Sequence, residues 1–390
     1  MSLSITQTPA LVSLAQSPIP FTVAESDAKL LTSSSFQYIG ELYYWTGAPT
    51  QSGSVANYTI TKYPNTSGVG IFDVSKIINS TLTQLAYVNS SNVMFFAVDF
   101  YWQWLNGTTY VTGSHVKSST YKALDGYGLM GVDAVGAPIS SGSIFWPLMT
   151  AGAVTQSFLS SNGGYGGVYV GVNDRPQVTK LTYTNSLGAS GDFAVSNNVS
   201  SSGQIAQYPV GPTALGFPIS TTNALWYQIQ AYAGTTPVGN SVRYEYELTQ
   251  KYDNVRIMYK NRFGQFDYMN LYMQNRQSFN VQKRSFQPQL GSWNSSTLSY
   301  QNYDSNNKNY IIDANQSISA NSNWLYEAQN EPIKQLLASD EIYWVYDEAN
   351  NYVRPLNIVT SNLQFKTGVN DHLIQYQFDF TFGQSFKLIF

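Results

Sequence analysis

Apolar and polar residues alternate over many short stretches of this chain, and amphipathic runs of helical period are few. FQYIGELYYW (Phe36–Trp45) puts Phe36, Tyr38, Gly40, Leu42 and Tyr44 on one face and Gln37, Ile39, Glu41, Tyr43 and Trp45 on the other, the period of a β-strand. VANYTITKY follows a Ser/Gly loop with the same alternation. NVMFFAVDFYWQWL (Asn92–Leu105) is apolar on both faces, which predicts a strand at the centre of a sandwich. Between these stretches, Pro-Asn and Ser-Gly mark turns. Asp73 then stands where it caps a short helix with Val74, Ile77, Ile78 and Leu82 at helical spacing.

Further along, VTKLTYT, QIAQYPVGPTALGF, LWYQIQAYAG and SVRYEYELTQ recur at intervals of about ten residues, separated by turn chemistry. KYDNVRIMYK and QFDYMNLYMQ then flank Asn261-Arg262-Phe263-Gly264. Period two on both sides of four loop residues, with a glycine free to take positive φ, predicts a β-hairpin. Helical spacing returns near 319–339, where Pro332 starts a turn and Ile333, Leu336 and Leu337 share a face. EIYWVYD, NYVRPLNIV and LIQYQFDFTFGQSFKLIF close the chain as strands.

The pattern therefore predicts an all-β protein of tandem sandwich modules, immunoglobulin- or fibronectin-like in spacing. An N-terminal arm or edge strand (1–17) precedes a sandwich module (18–118). Gly/Ser-rich connecting loops (119–165) lead to a second sandwich module (166–250), and a C-terminal β module (251–390) carries a helix near 319–339.

Composition sharpens this picture. Hydrophobic residues make up 43% of the 390, so there is ample core to bury, while charged residues are only 11%. Ser, Thr, Asn, Gln and 30 tyrosines must tile the surface. A formal charge of −3 makes the whole chain no trap for nucleic acid or anionic membrane. With no cysteine, disulfides, thiolate nucleophiles and cysteine metal sites are excluded. No run of 18 apolar residues is present to span a membrane, and MSLSITQTPALVSLAQSPIPF lacks the cationic start and long apolar run of a signal peptide. A low-charge, adhesive surface without an export signal fits a virus particle, which assembles inside a cell and leaves by lysis.

Catalytic constellations are sparse. His115 and His372 stand in separate blocks and belong to no spaced metal motif, and no EF-hand pattern occurs. Ser141-Gly142-Ser143 lacks the frame of a nucleophile elbow, and SSNGGYGGVYVGV lacks the Gly-Lys-Ser/Thr of a phosphate loop. Glycoside hydrolysis needs only two carboxylates, and Asp99 and Asp267, both within strands, are the natural candidates. A strand carboxylate more often faces solvent, a backbone donor or an arginine, so the expectation is no enzyme and no cofactor. The stretch 256–279 interleaves aromatics with cations, as single-strand nucleic-acid surfaces do. Its strand spacing and the chain's negative balance favour a protein interface instead. The candidate interface residues are Arg256, Arg262, Phe263, Phe266, Tyr268, Tyr272 and Arg276, with Trp102 and Trp104 from the Trp-rich strand.

SPIPFTV, FQYIGELYYWTG, KYPNTSGVGIFDVSKIINSTL, QYPVGPTALGF, NRFGQFDY and the passage from Ile333 to Val345 occur in this order along most of the chain. Together they resemble virion structural proteins, of the tail, from tailed bacteriophages that infect Bacteroidota. IFDVSKII and NRFGQFDY are the most distinctive segments, and neither is a catalytic motif. The resemblance implies a virion subunit that self-associates into a homo-oligomer and docks to other tail proteins, with no nucleic-acid partner and no membrane insertion. The alternative is a receptor- or carbohydrate-binding tail protein that contacts a host-surface glycan. A glycan depolymerase and a capsid-associated protein rank below both.

Overall fold

The structure is a computed structural model, and it describes residues 3–27, 31–33, 35–46, 51, 53–82, 93–129, 155–159, 165–169, 180–194, 205–209, 225–247, 252–264, 266–291, 293–294, 296–347, 352–368 and 374–384. In chain order the first elements are β1 (Ser4–Gln7), β2 (Val12–Leu14), β3 (Pro20–Ala24), β4 (Gln37–Trp45), β5 (Tyr58–Lys62), β6 (Val69–Asp73) and α1 (Ser75–Leu82). Next come β7 (Val93–Asn106), β8 (Thr109–Thr112), β9 (Val116–Lys117), β10 (Tyr121–Leu124), β11 (Thr155–Leu159), β12 (Tyr165–Tyr169), β13 (Lys180–Asn185), β14 (Ser190–Ala194), β15 (Ile205–Pro209), β16 (Trp226–Ala233) and β17 (Thr236–Glu247). The last part holds β18 (Val255–Lys260), β19 (Phe266–Leu271), β20 (Arg276–Phe286), β21 (Lys308–Asn321), α2 (Asn330–Ala338), β22 (Ile342–Asp347), β23 (Tyr352–Ile358) and β24 (Gln377–Phe382). The chain is thus all-β, built from several separate sheets.

It divides into two compact units. The first comprises residues 1–248 together with 259–267 and 331–339; the second comprises 249–258, 268–330 and 340–390.

In the first unit a sheet of order β1-β3-β6 and a sheet whose path runs β2-β10-β7-β4-β5 share one core. Alternation explains it. Tyr38 and Leu42 of β4 point to the same side as Phe96, Val98 and Phe100 of β7, and meet Phe21 and Val23 of β3 and Phe72 of β6. Gly40 lies between Tyr38 and Leu42 because a Cβ there would stand 3.1 Å from Phe100 and 3.2 Å from Phe72. The central position expected of Asn92–Leu105 is that of β7, which pairs with β4 and β10. Asp73 holds the start of α1 as expected: its Oδ1 accepts from the Ser75 amide at 3.0 Å and from the Ile19 amide at 3.0 Å.

Residues 1–17, expected as an arm or an edge strand, supply two edge strands: β1 pairs with β3, β2 pairs with β10, and Leu3 and Leu14 are buried. Two boundaries differ from expectation. Residues 119–165 are not all loop, since they contain β10 and β11; residues 130–154 lie outside the described residues. In the block 166–250, β17, β16, β13 and β14 join β11 in a sheet of order β11-β17-β16-β13-β14, β15 pairs with β12, and the block groups with the preceding modules in one unit.

The strands of the last third form a sheet of order β19-β18-β22-β23-β24-β21-β20. In the second unit Phe378 and Phe380 of β24 are buried alternately with exposed Gln377 and Asp379, opposite buried Ala320 and Ile318 of β21; Leu356 and Trp344 are buried as well. The helix expected near 319–339 is shorter, because β21 continues to Asn321 under its pairing with β24. Helix α2 begins two residues before Pro332 and buries Pro332, Ile333, Gln335 and Leu336.

Candidate functional site

The hairpin expected at 256–279 forms, but it is largely interior. Arg256, Phe263 and Tyr272 are buried, which corrects their assignment as exposed interface residues. The cause lies in what packs on them. In the second unit the Arg256 guanidinium lies over the Tyr268 ring, 4.6 Å from its centroid. In the first unit Arg262 lies over Phe263 at 4.6 Å. Arg262, Phe266 and Tyr268 are half-buried, and Arg276 alone of the hairpin set is exposed. Trp102 and Trp104 are also half-buried, packed on the first core rather than presented to solvent. The Trp102 ring lies tilted against Phe36, 6.1 Å between centroids and 31° between planes, and takes the space beside Gly113.

The loop itself is locked from several sides within the first unit. Asn261 makes a local turn: its Oδ1 accepts from the Phe263 amide at 2.9 Å and its backbone carbonyl from the Gly264 amide at 3.0 Å. Gly264 has φ +76°, the positive value expected for it. The loop backbone lies against residues 125–127, where the Tyr127 amide donates to the Arg262 carbonyl at 2.8 Å. Lys260 Nζ donates to Asp125 Oδ2 at 2.8 Å, and Gln16 Nε2 donates to Asp125 Oδ1 at 3.0 Å. On the other side, Gln335 Oε1 accepts from the Arg262 amide and Ser339 Oγ from the Lys260 amide, both at 3.1 Å.

Asp267 is buried beside this loop. Asn261 Nδ2 donates to its Oδ2 at 3.1 Å, and its Oδ1 has no hydrogen-bond partner among the described residues. Burial pushes the carboxyl well above the usual carboxylate range, against a smaller opposite pull from Asn261. The hydroxyls of Tyr259 and Tyr244 are raised in turn, first by burial and then by the proximity of Asp267. Asp267 is thus an acid buried among tyrosines and an amide.

Asp99 lies elsewhere, on the face of β7 that points away from the first core. The carboxylate it meets is Glu41, its direct partner in the β4–β7 register; Lys117 of β9 is its partner on the other side. His115 Nδ1 is 3.1 Å from Asp99 Oδ2, and the His115 ring lies on Tyr101 at 4.5 Å. Tyr43 donates to Glu41 Oε2 at 3.1 Å and Tyr101 approaches Glu41 Oε1 at 3.5 Å. The Lys117 ammonium stands 5.3 Å from the Tyr43 ring centroid and bonds to Gln51 Oε1. Burial first, and then Glu41, raise the Tyr43 and Tyr101 hydroxyls. Two carboxylates with aromatic rings, an imidazole and an ammonium make a polar face able to accept hydroxyl hydrogen bonds. Alternation places Glu41 on this side of β4, yet only the pairing of β4 with β7 brings it to Asp99. Among the described residues no group of three or more His, Asp or Glu could hold a metal ion.

The exposed apolar surface that the hairpin lacks is found on β20 and β21. All eleven residues of β20 are exposed. β24 pairs with β21 only over Ser317–Asn321, so from Lys308 to Gln316 the only partner of β21 among the described residues is β20. This is a two-stranded ribbon. Its register sets Phe279 beside Gln316, Val281 beside Ala314 and Lys283 beside Ile312 on one face, and Ser278, Asn280 and Gln282 beside Ser317, Asn315 and Asp313 on the other. Phe279 is 50% exposed, and beyond the strands Trp293, Tyr300 and Tyr303 are 62%, 72% and 81% exposed. Phe286 and Tyr310 meet edge to face at 6.1 Å. Comparison with known proteins finds no family model and no curated protein that matches this chain.

Proposed function

We propose that this chain is a structural subunit of a virion, of a phage tail as the sequence resemblance implies, which carries out no reaction and works by self-association and docking to neighbouring subunits. The observation that supports this reading best is the ribbon of β20 and β21. Folded monomers seldom leave large contiguous apolar patches in water, and those that do are commonly interaction surfaces. Phe279, Phe286, Trp293, Tyr300, Tyr303 and Tyr310 are all exposed on one ribbon and its connecting loop. Tyr and Trp are the side chains that dominate binding energy at interfaces. The occupant that fits is a second copy of the chain. β20 ends its sheet with β21 as its one partner among the described residues, an edge that the same strand of another copy can extend.

Light scattering on the full chain over a range of concentrations tests the proposal. A mass that rises to a defined multiple of 43.3 kDa is expected. A monomer at every concentration, with the ribbon facing solvent in an intact particle, would overturn it.

The Glu41–Asp99 face supports a second reading, a carbohydrate-binding tail protein. Carboxylates accept hydrogen bonds from sugar hydroxyls, and Tyr43, Tyr101 and His115 supply ring surface beside them. A glycan array distinguishes the two: binding that is lost in Asp99→Asn, in a chain that stays monomeric, would put this reading first.

A further inference from the structure

We infer that two copies of the chain join edge to edge through β20, pairing antiparallel about a twofold axis at Val281. This rests on the self-association proposed above and names its contact.

The edge itself is the first argument. β20 is the last strand of its sheet, and among the described residues β21 is its only partner. A long strand edge presents a row of unpaired N–H and C=O groups, which native proteins shorten, cover, kink or interrupt with proline. β20 runs eleven residues without proline, all exposed. Its register shift at Arg284/Ser285 adds Tyr310 to β21 and leaves β20 itself unbulged. An isolated two-stranded ribbon is marginal in water, and a third strand is what makes such a ribbon stable.

The sequence of β20, RQSFNVQKRSF, complements itself. Val281 is its midpoint, so an axis there pairs the strand over its whole length. Val281 then faces Val281, Phe279 faces Lys283, Asn280 faces Gln282, Ser278 faces Arg284 and Arg276 faces Phe286. No two cations are opposed. Moving the axis by one residue to Asn280 sets Arg276 against Arg284, and like charges directly opposite are destabilising. Because directly opposed residues share a face, the Phe279, Val281 and Lys283 side chains of both copies would form one stripe, with each ammonium beside an aromatic ring. A lysine in the apolar stripe of a free edge discourages indiscriminate pairing. Opposite Phe279 of a second copy, the same lysine favours this partner and this register.

The absence of native cysteine makes a direct test possible. Val281 is 42% exposed, so Val281→Cys leaves the fold undisturbed. Mild oxidation of Val281→Cys should convert most of the chain to a disulfide dimer. Ser278→Cys should stay monomeric under the same conditions, since the two Ser278 positions lie six residues apart along the paired strands, roughly 20 Å. Failure of Val281→Cys to cross-link, or equal cross-linking of both variants, overturns the inference. Light scattering on the unmodified chain separates the two levels. Oligomers without the Val281 cross-link refute the edge pairing and leave self-association standing, whereas a monomer throughout removes both.

Discussion

Lys260 and Asp125 form an ion pair, 2.8 Å from Nζ to Oδ2, in which the two side chains are only 4% and 3% exposed. Residues far apart in sequence are joined where water cannot compensate the loss of either. Removing one member of a buried pair commonly costs about 3–5 kcal/mol, because the other charge is left without a partner. Lys260→Met should therefore lower stability by about that amount in urea titration. Lys260→Met combined with Asp125→Asn should recover part of it, since the amide oxygen still accepts from Gln16. A double variant no better than the single one would show that the pair is not the source of the loss.

Gly264 is held by two separate constraints. Its φ of +76° strains any other residue, typically by about 1–3 kcal/mol. A Cβ there would also stand 2.2 Å from the Asp125 carbonyl oxygen, and backbone cannot swing aside as a side chain can. Gly264→Ala should thus cost more than the conformational term alone, and Gly264→Val more again. Equal denaturation midpoints for Gly264→Ala and the parent chain would contradict the close approach. Gly126, whose Cβ would meet the Arg262 carbonyl oxygen at 2.2 Å, carries the close-approach constraint alone, so Gly126→Ala should also destabilise.

Asp267 sets a pH dependence of known sign. Its carboxyl is raised by burial, so the folded chain holds this proton over a range where the unfolded chain has released it. Below the unfolded value, roughly 3.9, both forms are protonated and nothing is lost. As pH rises from there through the raised folded value, stability falls. Asp267→Asn keeps the shape, still offers an oxygen to Asn261 Nδ2, and has no proton to lose. It should match the parent chain near the unfolded value and be the more stable of the two at neutral pH and above. Chemical denaturation at two pH values checks this, and a constant difference between the variants would refute it.

How far these features are legible in the sequence depends on the range of the interaction behind them. The capped α1, the central β7 and the Gly264 turn are local consequences of Asp73, of a run apolar on both faces, and of a glycine in a four-residue loop. Alternation around Tyr268 and Tyr272 likewise predicts strands. It does not say what covers the loop at 260–264, because Asp125, Tyr127, Gln335 and Ser339 come from distant segments to close over it. Hence Phe263 reads as an exposed anchor and is an interior one. Glu41 shows the same limit, since its place opposite Asp99 follows from strand pairing alone. The ribbon is hard to find for the opposite reason: polar residues dominate β20, and only Phe279, Val281 and Phe286 mark it as a strand.

Trp293 and Tyr303 distinguish a surface used for assembly from one that is merely exposed. At 62% and 81% exposure they bury little area within the chain, so truncating them removes few contacts on folding. Surface substitutions of this kind usually change stability by less than about 0.5 kcal/mol. If the ribbon loop is buried between copies, the same side chains should behave as aromatic anchors, whose loss commonly costs about 2 kcal/mol or more of binding, on the order of thirtyfold in affinity. Trp293→Ser and Tyr303→Ser should accordingly leave the urea midpoint unchanged and shift the concentration at which the chain self-associates upward by more than tenfold. Sedimentation equilibrium beside urea titration gives both readings on one preparation. Unchanged association would exclude the loop from the contact, and a lowered midpoint would show that these rings pack within the chain after all.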